Sequence, residues 1–325
     1  MGSTNKYQYG GEALIEGVMM KGKKNIAIAV RKSNGEIHLE SRPLKTLSQK
    51  YKFLKWPVLR GAVGMIETMV LGVKSLMYSA EFFEDAGDDS EPSKFDKFLE
   101  KVFGEKLQDA VIYFSVIVAL AAGIGLFFLL PNVLTELFGI NKDMPGGTLI
   151  SNLLEGSIRI MLFLGYIVLV SKMKDVRRVF EYHGAEHKSI HCYENKEELT
   201  VENVKKYTTR HPRCGTALLF VVMLMSILVF SLVGRYSVPV NILLRLLLIP
   251  LIAGLSYEVV RFAGKSDALW VRIISAPGLA LQKFTTREPD AGQMEVAIAA
   301  LKEVIQNEEK GEEISEPTDR CCNDH

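Results

Sequence analysis

At 325 residues the chain has length for two ordinary domains, and 39 basic against 38 acidic residues leave a net charge of +1 that offers nucleic acid no electrostatic footprint. Four cysteines, Cys192, Cys214, Cys321 and Cys322, are too few for a disulfide scaffold. Charge nearly vanishes from four long apolar stretches, a pattern that points away from a soluble globule and toward a membrane protein. Met1 to Lys24 lacks an uninterrupted apolar core and a small-residue cleavage site, so no cleaved secretory signal is expected.

Residues 1–50 read as a small cytoplasmic β-hairpin unit. Ile26 to Val30 alternates as IAIAV, Ile37 and Leu39 continue the alternation, and Asn34-Gly35 between them is a strong hairpin signal. Upstream, Gly10 to Met20 sets Glu12 and Glu16 at the spacing of one helical turn, bracketed by glycines. That reads either as a carboxylate pair lining a site or as a glycine-rich turn leading into a packed segment. Residues 51–109 read as amphipathic, interfacial helices. Leu59, Val63, Ile66, Val70, Val73 and Met77 form a helical stripe, interrupted by Arg60, Glu67, Lys74 and Glu81. Such a segment lies on a membrane or packs against a bundle. Asp85 to Glu91 reads as a polar linker.

Residues 110–174 carry the first two predicted spans, Ala110 to Leu130 and Ile150 to Val170. Glu155 and Arg159 interrupt the second; four residues apart on a helix, they can pair on one face. Residues 175–214 read as a histidine-rich loop. Residues 215–260 hold two further spans, Gly215 to Gly234 and Val238 to Tyr257, the last with Arg245 in its middle. Residues 261–308 read as a cytoplasmic interfacial segment and helix, with Trp270 suited to the headgroup region and Pro277-Gly278 as a break. The acidic tail, 309–325, is expected to be disordered. Lysine and arginine fix the orientation. The loop between the second and third spans holds Lys172, Lys174, Arg177, Arg178, Lys188, Lys196, Lys205, Lys206, Arg210 and Arg213, whereas the other two loops hold Lys142 and Arg235. The positive-inside rule makes the central loop cytoplasmic, and four spans then put both termini inside.

The chemistry concentrates in that loop. His183, His187 and His191 recur every four residues in YHGAEHKSIHCYE, along one side of a helix. Imidazole is a common metal ligand, and two rings one turn apart can share an ion. His183-Gly184-Ala185-Glu186-His187 also matches His-x-x-Glu-His, in which both histidines hold zinc and the glutamate is the general base. Glu258, at the inner end of the fourth span, and His211 compete for the place of third ligand; His191, Cys192 and Cys214 are further candidates. Three protein ligands leave a catalytic position open, whereas His183, His187, His211 and Cys214 together would make a closed, structural site. The competing account is a hydrogen-bonded polar helix face with no metal. Cys192 and Cys214 as reactive thiols rank below both, because nothing arranges a triad around them.

GGEALIEGVMMKG, LRGAVGMIETMVLG, YHGAEHKSIHCYE, HPRCGTALL and PGLALQKFTTREPD, between Gly10 and Leu301, resemble an uncharacterised bacterial membrane family typified by YqhQ, whose members are commonly labelled predicted metal-dependent enzymes. The resemblance implies a multi-pass location and a candidate site at His183, Glu186, His187, His191, His211 and Cys214. The expected protein is mainly α, a polytopic helical membrane protein with four transmembrane helices, amphipathic interfacial helices and a small N-terminal β unit. Its expected location is the bacterial inner membrane. The expected function is metal-dependent hydrolysis, peptidase-like, with Glu186 as base and a divalent metal, zinc, held by His183 and His187 with Glu258 or His211. The rival is a non-enzymatic assembly or scaffolding factor with a structural metal or none. Transport, resting on Arg245 and the Glu155/Arg159 pair, stands behind both. The expected partners are the lipid bilayer and either another membrane protein or a second copy of the chain.

Overall fold

Short apolar runs punctuated by glycine build the N-terminal sheet. The computed structural model describes residues 9–84, 107–139, 146–212, 214–233, 238–263, 269–310 and 318–321. Strands β1 (Gly10–Leu14), β2 (Gly17–Lys21), β3 (Asn25–Arg31) and β4 (Ile37–Pro43) pair antiparallel in chain order, and β5 (Thr318–Cys321) adds to β4. Glu12 faces Met19 across the first pair and Ile28 faces Glu40 across the third. Gly35 has φ +90°, the conformation that the Asn-Gly turn requires of it. The strand β5 is a departure from the disorder expected of the tail: main-chain pairing with the open edge of β4 needs no apolar side chain.

Ten helices of five or more residues follow among the described residues. They are α1 (Leu59–Glu84), α2 (Leu107–Ile124), α3 (Leu130–Leu137), α4 (Gly147–Val170), α5 (Lys174–Glu194), α6 (Val201–Lys205), α7 (Gly215–Leu232), α8 (Val238–Ala263), α9 (Leu269–Thr285) and α10 (Ala291–Lys310). A single π-helical turn, Gly125–Leu129, joins α2 to α3. The protein is therefore mainly helical, with a small N-terminal sheet. The acidic linker Asp85 to Glu91 lies outside the described residues.

Both faces of the sheet are covered, which is why β2 and β3 are apolar at nearly every position instead of every second one. Val18, Met20, Ala27, Ala29 and Leu39 pack with Tyr182, Ala185 and Ile190 of α5 and with Val296, Ala300, Leu301 and Val304 of α10. On the opposite face Leu14, Met19, Ile26, Ile28 and Val30 meet Leu71, Tyr78 and Phe82 of α1. The first turn of α1 also packs on α8, where Gly61 and Gly254 let the backbones approach. A Cβ at Gly254 would lie 2.3 Å from the Val58 carbonyl oxygen, and one at Gly61 2.6 Å from Tyr257 Cβ. The predicted amphipathic segment thus packs on both the sheet and α8.

The chain divides into two packed units. One gathers the described residues of Met1–Ala86, Ile167–Ser226 and Ser237–His325, and the other those of Gly87–Tyr166 and Ile227–Tyr236. Within the second unit, Arg159 pairs with Glu155 at 2.8 Å and donates to the Phe127 carbonyl at 2.9 Å. Among the described residues, three helical segments are long and apolar enough to cross a membrane: Ile117–Leu137, Leu149–Val170 and Leu243–Phe262. Four were expected. In α7, the counterpart of the predicted span Gly215 to Gly234, the apolar helical part is Leu218–Leu232, which falls short of that length. The first span also lies later than its predicted 110–130, because the helix runs on through the π turn and past Pro131.

Candidate metal centre

The predicted histidine loop is largely helix. Helix α5 carries His183, His187, His191 and Glu194 along one side, and two further pieces of chain run beside it. One is the stretch from Thr209 to Pro212, with Cys214 beyond it; the other is the end of α9 with the residues that follow it. Gly184 allows the second approach, since a Cβ there would lie 2.0 Å from the Arg287 carbonyl oxygen. The Arg287 N–H donates to the Phe180 carbonyl at 2.8 Å and fixes this segment alongside the helix.

These neighbours supply backbone carbonyls to the imidazoles. His183 Nδ1 lies 2.8 Å from the Thr285 oxygen, and His187 Nδ1 lies 2.6 Å from the Thr209 oxygen. A carbonyl oxygen only accepts, so each Nδ1 carries the proton and each Nε2 of a neutral ring keeps its lone pair. The two rings stand with centroids 4.4 Å apart, and Cys214 Sγ lies 3.2 Å from His183 Nε2. Such outer-shell carbonyls are the usual device for fixing the tautomer and aim of a metal-binding histidine. The ligand-capable atoms of His183, His187 and Cys214 all lie within 4.8 Å of one another. A tetrahedral ion with bonds of about 2.1 Å holds its donors about 3.4 Å apart, so the set fits zinc with small adjustments. Cys214 directly precedes α7, and the Thr216 N–H points at its sulfur from 3.4 Å.

Glu186 stands beside this group, with Oε2 3.8 Å from His183 Nε2 and 3.7 Å from His187 Nε2. Burial pushes its carboxyl up to about 8, against the pull of His183. Gly11 of β1 closes over it, and a Cβ there would meet Glu186 Cγ at 2.8 Å. Burial holds His187 well below the ordinary imidazole value and His211 at about 4, so both rings are neutral at neutral pH and available as ligands.

His191 and His211 belong to a neighbouring group with Glu194. The sequence gives no hint of Glu194 beyond its i, i+3 spacing from His191. Gln282, fully buried, clamps the backbone of His211, accepting from its N–H and donating to its carbonyl, both at 2.8 Å. Neither Gln282 nor the Thr209 and Thr285 carbonyls could be read from the chain. Glu258, the predicted third ligand, belongs to neither group. It is held by Arg60, at 2.6 and 2.5 Å, on the face where α1 meets α8. Glu12 and Glu16 are not one helical turn apart either. Glu12 sits on β1, half-buried and pushed up to about 7 by desolvation, while Glu16 occupies the turn after it at φ +49° and pairs with Arg178 and Tyr182. Cys192 is buried, its thiol directed at the Glu198 carbonyl 3.4 Å away. Arg213 and Cys322 lie outside the described residues.

The family model described as "Protein of unknown function (DUF1385)" matches residues 56–307, a range that includes α5 and both groups of donors. The chain belongs to this family. The Bacillus subtilis (strain 168) protein described as "Uncharacterized protein YqhQ" is 33% identical over 315 residues, which cover 95% of this chain and 96% of that one. No solved structure matches.

Proposed function

We propose that this chain is a metal-dependent hydrolase, peptidase-like and zinc-using, set at the cytoplasmic face of a bacterial cell membrane. One observation carries the reading: two imidazoles locked by carbonyls turn their Nε2 atoms, with the Cys214 sulfur, toward one point beside a buried carboxyl. A bound zinc ion would supply Lewis acidity and water activation there. His183, His187 and Cys214 are the ligands. Glu186 takes the proton of the attacking water as its oxygen adds to a carbonyl carbon, then passes that proton to the departing amine. Burial of Glu186 and His187 keeps bulk water from the reacting groups. The membrane part of the proposal, with α7 as a fourth crossing, is supported by the outward apolar side chains of α4 and α8, among them Leu149, Leu153, Met161, Leu243, Leu247 and Leu251.

A second reading has its own support. Glu186 is nearly equidistant from both Nε2 atoms, close enough to become the fourth ligand of a closed, structural ion in an assembly or scaffolding factor. Detergent-purified wild type and Glu186→Gln, zinc content measured in both, separate the two readings on fluorescein-labelled casein. The enzyme reading expects cleavage by the wild type and loss of at least about 100-fold in a variant that retains its zinc. Zinc-loaded wild type no faster than the variant would sink the hydrolase and leave the structural ion.

A further inference from the structure

We infer that His191, Glu194 and His211 form a second divalent-cation site adjoining the first. The inference deepens the metal-dependent reading and rests on it for its functional sense, though the donors make their own case. Their ligand-capable atoms all lie within 4.8 Å of one another. His211 Nε2 and Glu194 Oε2 are 3.5 Å apart, long for a strong hydrogen bond and close to the spacing of two donors on one tetrahedral ion, about 3.4 Å. His191 Nε2 lies 2.9 Å from the Arg210 carbonyl oxygen, so the proton is on Nε2 and Nδ1 of the neutral ring keeps the lone pair. Tyr207 stacks on that ring at an interplanar angle of 12°, and the Gln282 clamp fixes the stretch from which His211 projects.

The pattern repeats that of the first group. Consecutive carbonyls, Thr209 and Arg210, orient His187 and His191 in turn, so one segment sets a ligand in each group. Two imidazoles and one carboxylate suit zinc and its neighbours in the transition series, and supply too few oxygens for calcium or magnesium. The His187 and His211 rings have centroids 5.6 Å apart, so the two donor sets abut. A substrate bound between them would meet two Lewis acids, the arrangement of two-metal hydrolases.

Metal content of the full chain tests this. Detergent-purified protein is stripped with chelator, reloaded with Zn2+ or Co2+, desalted and measured by elemental analysis, with far-UV circular dichroism confirming the fold of every variant. Two equivalents are expected in the wild type and one in Glu194→Gln and in His211→Asn. Cys214→Ser combined with His183→Asn should also retain one. The Co2+ form should keep its thiolate charge-transfer band in Glu194→Gln and lose it in Cys214→Ser. His191→Gln stands in should either single variant misfold. A wild type with one equivalent that Glu194→Gln and His211→Asn both retain would overturn the second site and leave the first. Two equivalents unchanged in those variants would overturn it as well. A wild type that takes up no metal would remove both sites.

Discussion

Helices α4 and α5 follow each other in the chain and are close in length, yet they are dressed for different surroundings. Each buries polar groups: Asn152, Glu155 and Arg159 in α4, Glu186, His187 and Lys188 in α5. Their outer faces differ. Helix α4 exposes Leu149, Ile150, Leu153, Met161, Leu164 and Leu169, whereas α5 exposes Lys174, Asp175, Arg177 and Arg178. Each also carries an ion pair four residues apart. The side chains of Glu155 and Arg159 are 3% and 8% exposed, those of Glu181 and Arg177 21% and 66%. The same spacing therefore does different work, and burial decides how much.

The largest expected effect is on α4. Glu155→Ala leaves the Arg159 guanidinium without its buried carboxylate and should cost about 3–5 kcal/mol, read as a fall in the thermal midpoint of detergent-purified protein. Replacing both residues by leucine should recover most of the loss; a double variant as unstable as the single one would break the comparison. Next comes the acid limb of the metal-free protein. His211 is held at about 4 when folded against the ordinary 6.5, so between those values the unfolded chain binds the extra proton. Its contribution is complete above pH 6.5 and drains away as pH falls to about 4, by roughly 3 kcal/mol in all. Thermal midpoints of chelator-treated wild type should fall through that window, and His211→Asn should flatten the slope; equal slopes in the two proteins would remove His211 as its source. Smallest is Arg177→Gln on α5, expected to change stability by less than about 0.5 kcal/mol. A shift comparable to that of Glu155→Ala would show that α5 is more buried than its exposure implies.

What the sequence disclosed follows the same division. The histidine period on α5, the apolar runs and the strand alternation are patterns of residue type, and they are visible in the letters. The carbonyls of Thr209 and Thr285 are not, because every residue has one and only the approach permitted by Gly184 brings Thr285 to His183. Glu258 misled because its partner, Arg60, lies 198 residues away in sequence. The spacing of Glu12 and Glu16 suggested a helix. Gly11 and Gly17 were the better signal, since a Cβ at Gly17 would lie 2.5 Å from the Ala29 carbonyl oxygen, as expected of a strand crowded by its neighbour. In α7 the letters suggested a full span, whereas its helical apolar part is cut short at both ends.

The core shared by the N-terminal sheet, α5 and α10 constrains topology by parity. On the proposed membrane setting one packed core cannot straddle the bilayer, so a chain that leaves it after α1 and returns by α5 would have to cross an even number of times. Ile117–Leu137 and Leu149–Val170 would satisfy that count. Between α5 and α10, Leu243–Phe262 would then need a companion, and in that proposal the 18 residues of α7, about 27 Å long at the helical rise, would make the return. A bilayer thinned around that helix would be the mechanical consequence.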